Sequence, residues 1–120
     1  MSEDHRHSIR VYPRDFKDYD IFIQLEFGDS YNGHMGNVSE TGLCCIMPEQ
    51  CEVSTGDALS GYIQHIPMGE RISFKGTVVW EKSYEFQKKV NRMLGIHFEK
   101  AIVLPDHLFA LSLSVEPPDF

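Results

Sequence analysis

The sequence has little that marks a membrane, secreted or nucleic-acid-binding protein. No apolar run in its 120 residues approaches the roughly 20 needed to cross a bilayer as a helix, so no membrane insertion is expected. The opening MSEDHRHSIR lacks both the apolar stretch and the small-residue cleavage site of a secretory signal, and a cytoplasmic location is the expectation. Basic residues are outnumbered, with 11 Lys and Arg against 18 Asp and Glu and a formal net charge of -7. Affinity for a nucleic-acid backbone needs a basic surface, and no basic, aromatic-rich stripe is present, so no nucleic-acid partner is expected. Only three cysteines occur, Cys44, Cys45 and Cys51. An odd number cannot all pair within the chain, and neighbours in a strand point to opposite faces, which argues against a disulfide scaffold. One of the pair Cys44 and Cys45 is expected in the core and the other on the surface, with Cys51 in a loop.

Signatures of catalysis and cofactor binding are equally scarce. HExxH, CxxC, GxGxxG and the phosphate-loop pattern ending GKS or GKT are all absent. The six histidines, His5, His7, His34, His65, His97 and His107, form no ligand series, so no metal and no resident cofactor are expected. Ser39 has no evident activating base, and Asp106-His107 reads as a helix start as readily as an acid–base pair. No enzyme activity is expected.

What is present describes one folded domain, since 42% hydrophobic and 24% charged residues suit a compact core. Ile21, Ile23, Leu25 and Phe27 alternate with Phe22, Gln24 and Glu26, the period-two pattern of a first strand. Within Tyr31 to Met47, the stretch NVSETG separates a polar strand from the apolar run LCCIM, and Pro48 ends that run. Ala58 to Ile66 reads as a further strand, followed by a connection through Met68, Gly69 and Glu70. From Arg71 to Trp80, Ile72, Phe74, Gly76, Val78 and Trp80 share one parity, the mark of a half-buried strand. Glu81 to Arg92 is polar and fits either a hairpin excursion or a short helix; Met93 to Phe98 resembles another strand. Pro105 and Asp106 start a short final helix, and Pro117 and Pro118 stop regular structure. The sum is a mostly antiparallel sheet, closed or nearly closed to hide its edges, with one short helix at an end.

Two local patterns carry chemistry. Arg6 and Arg10 stand four apart, and two guanidiniums so placed can grip phosphate oxygens or a guanine edge, or simply lie solvated on the surface. Asn37, Ser39 and Gly42 put an amide, a hydroxyl and a permissive glycine into one turn, which can present donors to a purine or serve only as a turn. Trp80 suits either core packing or a binding rim, and Tyr12 either anchors the preceding segment or joins that rim.

Together, the two patterns resemble the RxxxR and D/NxSxxG motifs of the PilZ domain family. The likeness extends to Val11 and Tyr12 leading into the first strand, to GTVVW and to GIHF. It implies an all-β fold, a six-stranded antiparallel barrel with a short C-terminal helix. It also implies a non-catalytic receptor for the bacterial messenger cyclic di-GMP. Carried over residue by residue, Arg6 and Arg10 clamp phosphates and bases, Asn37 recognises guanine, Ser39 adds a polar contact and Gly42 preserves the turn. His5 stands where many members have a further arginine, and a single bound ligand or a lower affinity would follow. The implied organisation is a flexible arm over 1–14, barrel and helix over 15–116, and a tail over 117–120. Ligand binding would order the arm and change a surface read by a downstream protein partner. The alternative is a PilZ-like protein-interaction module with little or no nucleotide binding.

Overall fold

The structure is a computed structural model that describes residues 11–115, apart from the side chain of Phe86. Six strands follow one another, β1 (Tyr19–Leu25), β2 (Ser30–Val38), β3 (Gly42–Pro48), β4 (Ala58–His65), β5 (Arg71–Phe86) and β6 (Lys89–Phe98). A helix, α1 (Asp106–Leu113), completes the order. The strands close into an antiparallel barrel in the order β1-β2-β3-β6-β5-β4, so each strand has two hydrogen-bonded neighbours. Closure pairs each strand on both sides over part of its length and so shortens the open edges, while β5 beyond Trp80 is laddered to β6 alone.

Period-two alternation fills the barrel. Ile21 and Ile23 of β1, Ile63 of β4, Phe74 and Val78 of β5, and Leu94 and Ile96 of β6 all enter one core. Each such side chain contributes about 1.5–3 kcal/mol by leaving water. Phe16, Leu104 and Leu108 join the same core from segments before β1 and after β6. In α1, which begins after Pro105 as the Pro-Asp pair implies, Leu108 is buried and supplies the anchor.

Two sequence expectations need correction, and one open choice is resolved. β1 starts and ends two residues early, because a turn takes over after Leu25: the Leu25 N–H donates to the Asp29 carbonyl at 3.0 Å, and Gly28 adopts a left-handed φ of 127°. Phe27 is therefore 91% exposed rather than part of the apolar face. Glu81 to Arg92 is a hairpin, with β5 running on to Phe86 and β6 beginning at Lys89. Its two-residue turn holds Gln87 and Lys88 at φ 55° and 63°, the geometry that matches strand twist but usually recruits Asn or Gly. Finally, all three cysteines are buried, so neither Cys44 nor Cys45 is the surface residue expected, while Cys51 does lie in the β3–β4 connection. Cys51 lies in the core, where burial pushes its thiol up to about 11, and Arg92 donates to its carbonyl at 2.7 Å.

Candidate functional site

The outer wall across β2, β3, β6 and β5 departs from regular alternation. On β3, Leu43, Cys45 and Met47 belong to the core, so Cys44 and Ile46 point outward, yet both are buried. Cys44 pairs with Asn37 on one side and Gly95 on the other, and Gly95 pairs with Trp80. Asn37, Cys44, Gly95 and Trp80 thus form one row over four strands.

Two bulges build that row. Gly36 is the extra residue where the β2 register shifts between Met35 and Asn37, and Val79 is the extra residue between Val78 and Trp80 on β5. One inserted residue reverses side-chain parity, so Asn37 and Trp80 turn outward while Met35 and Val78 remain in the core. Trp80 accordingly lies outside the apolar core, half-buried on the outer wall. A Cβ on Gly95 would sit 2.2 Å from the Trp80 Cε2, so the indole occupies the space that a side chain there would need.

Asn37 is 1% exposed. A buried amide needs hydrogen bonds, and the Val38 N–H donates to its Oδ1 at 2.7 Å, which fixes the orientation of the side chain. Ser39 braces the turn that follows. Its N–H donates to the Gly42 carbonyl at 2.8 Å, and its Oγ accepts from the Thr41 N–H at 3.2 Å. Gly42 is buried and opens β3 opposite His97. It is not among the described glycines with left-handed φ, which are Gly28, Gly56 and Gly69. The carbonyls of Glu40 and Thr41 accept from the Ile102 and Phe98 N–H groups at 2.9 and 2.8 Å, tying the turn to the segment that leads to α1.

The chain just after Arg10 runs beside this row. The Tyr12 N–H donates to the Gly36 carbonyl at 2.7 Å, and a Cβ on Gly36 would lie 3.0 Å from the Val11 Cγ1. Tyr12 packs against the core and thereby anchors the segment. Arg6, Arg10 and the rim candidate His5 lie outside the described residues. The structure therefore brings Asn37, Trp80 and the Tyr12 backbone to one face, with Ser39 and Gly42 in the adjoining turn. It adds Gly36, Cys44 and Gly95, which sequence reading passed over. The only available signal was a glycine directly before Asn37.

A second cluster lies where β1, the β4–β5 turn and α1 meet. His65, Glu70 and His107 bring two imidazole nitrogens and a carboxylate oxygen within 4.8 Å of one another. No local motif links positions 65, 70 and 107, so the fold alone assembles them. Among the described residues, no helix is long and apolar enough to cross a membrane.

A closed six-stranded antiparallel barrel, a short terminal helix and an Asn-Val-Ser-Glu-Thr-Gly stretch spanning the β2–β3 connection at a bulged wall define a class of small antiparallel barrels. The chain belongs to the PilZ domain family, whose model matches residues 5–110, a span that takes in both sequence motifs. Its fold is similar to the structure of Bacillus subtilis inhibitor of motility (MotI/DgrA), with a TM-score of 0.57 and 15% identity. That match covers 89% of this chain and 48% of the other, so the chain spans about half the length of that structure. No curated protein sequence matches the chain.

Proposed function

We propose that the chain is a non-catalytic cyclic di-GMP receptor. Its RxxxR segment, Arg6 and Arg10, folds a ligand against the outer row begun by Asn37. The observation that carries this reading is the seating of Val11 on Gly36. It puts the residue bonded to Arg10 beside the bulge that turns Asn37 outward. Arginines suit the ligand's phosphates and guanine edges, and the Asn37 amide suits a base edge. The net charge of -7 does not oppose this, because distant carboxylates are screened beyond about 8–10 Å. Since Asn37 is buried here, binding uncovers the row, and the hydrogen bonds from the Asn37 turn toward α1 give that change a route to a partner surface.

Calorimetric titration with cyclic di-GMP, with GTP as control, tests the reading. Saturable heat for the dinucleotide alone is expected, and Arg10→Ala weakens it by about 1.5–3 kcal/mol with an unchanged melting temperature. Asn37→Ala lowers affinity as well. A folded sample that binds no cyclic di-GMP by calorimetry and by equilibrium dialysis would sink the proposal.

One observation favours the second reading, a protein-interaction module with little nucleotide binding. Val103, Phe109 and Leu113 expose apolar side chains on and before α1. Such a surface suits a protein partner whether or not nucleotide binds.

A further inference from the structure

We infer that His65, Glu70 and His107 form a site for a divalent transition-metal ion of the zinc class, fastening α1 to the barrel. This inference is independent of the nucleotide reading. His65 ends β4 and Glu70 precedes β5, and the turn between them is closed by the His65 N–H on the Glu70 carbonyl at 2.8 Å and the Gly69 N–H on the His65 carbonyl at 2.7 Å. Gly69, at φ 76°, supplies the left-handed residue that so tight a closure needs. His107 arrives from the first turn of α1, and its ring stacks on His65 with centroids 4.4 Å apart.

The interatomic spacing suits a shared ion. Glu70 Oε1 lies 3.2 Å from His107 Nε2 and 3.7 Å from His65 Nδ1. Two ligand atoms bound tetrahedrally to zinc at about 2.0–2.1 Å lie about 3.4 Å apart, so the two Glu70 pairs bracket that value, and the two imidazole nitrogens lie within 4.8 Å of each other. His65 Nδ1 supplies the independent indication. It is buried with no hydrogen-bond partner among the described residues, a state that native structures avoid, and 3.7 Å is too long for a hydrogen bond to Glu70. A metal ion between the two atoms satisfies it.

The surroundings of His107 also fit. The Tyr19 hydroxyl is hydrogen-bonded to its Nδ1, and with Nδ1–H donating to that oxygen, the Nε2 lone pair is presented on the side of Glu70. Metal-binding histidines are commonly oriented in this way by a partner on the other ring nitrogen. Tyr19 is thus a positioning residue. Two imidazoles and one carboxylate match zinc and its neighbours rather than magnesium or calcium, which favour all-oxygen sites.

The test uses the full chain, stripped with chelator and titrated with zinc, with cobalt as a spectroscopic stand-in and magnesium as control. One equivalent of zinc is expected to bind and raise the melting temperature, with magnesium inert. Glu70→Gln and His107→Ala, both at exposed side chains, abolish the upward shift. His97→Ala, on the outer face of β6, leaves it intact. Tyr19→Phe weakens zinc about 10–100-fold and changes the cobalt spectrum. Absence of saturable zinc binding overturns the inference, as does equal affinity in folded Glu70→Gln and His107→Ala, which would put the ion on other donors.

Discussion

The two halves of the barrel wall obey different rules. Between β1, β4 and the first half of β5 the ladders run without a register shift, from Tyr19 opposite His65 to Leu25 opposite Leu59, and from Ala58 opposite Thr77 to Gln64 opposite Arg71. The outer face there is an ordinary surface, with Phe22 stacked on Tyr62 at 4.9 Å and Arg71 lying over the Tyr62 ring. Across β2, β3, β6 and the rest of β5, bulges at Gly36 and Val79 break the alternation, and outward residues are buried. Both halves feed the one core, Ile21 and Ile63 from the regular wall and Leu43 and Leu94 from the bulged one. The candidate site occupies the half where repetition is interrupted, because a bulge can re-aim a side chain without dismantling the sheet.

Substitutions should separate the halves. The largest effect is expected in the regular one: Ile63→Ala removes a fully buried side chain paired with Ile21 and Ile72, and should cost about 2–5 kcal/mol by chemical denaturation. Cyclic di-GMP affinity of the folded fraction should be unchanged, and a matching loss of affinity would erase the contrast between the halves. Gly95→Ala acts on the bulged wall. The new methyl collides with Trp80, and overpacking should cost about 1–3 kcal/mol while displacing the indole from the row. Here ligand affinity should fall in molecules that remain folded, and an unaltered titration would remove Trp80 and Gly95 from the site.

The smallest effect is a pH dependence. Burial raises the Cys51 thiol from 9.0 to about 11, so the folded state holds its proton more tightly than the unfolded chain does. That contribution is complete below pH 9 and is lost as pH rises through about 11. Denaturation midpoints should decline over this interval, and Cys51→Ala should flatten the decline. An identical slope in the variant would assign it to other groups.

Sequence periodicity made the regular half legible. Ile21, Ile23, Phe74 and Val78 fell on the core face by counting in twos, and the Asn37-to-Gly42 stretch was readable as a turn between strands. Counting failed wherever one residue was inserted or a turn lacked its usual composition. Nothing local distinguishes Val79 from the strand residues around it, so Trp80 kept the parity of Val78 on paper and lost it in the fold. Gln87 and Lys88 turn a hairpin without glycine or asparagine, which left Glu81 to Arg92 open between two readings. Asn37 and Ser39 were legible as motif positions, but the closeness of Asn37 to Cys44 and Gly95 depends on β2, β3 and β6 being neighbours. His65, Glu70 and His107 were invisible for the same reason, since only closure of the barrel and docking of α1 bring them together.

Trp80 is the only tryptophan in the chain, and it rests on a backbone position with no side chain. The protein therefore carries a single indole fluorophore, which can be excited selectively at the red edge of absorption apart from its five tyrosines, placed on the bulged wall and absent from the regular one. Its emission wavelength and accessibility to a collisional quencher report the state of that face without any label, so local change at the row can be followed optically while unfolding of the whole barrel is tracked by circular dichroism.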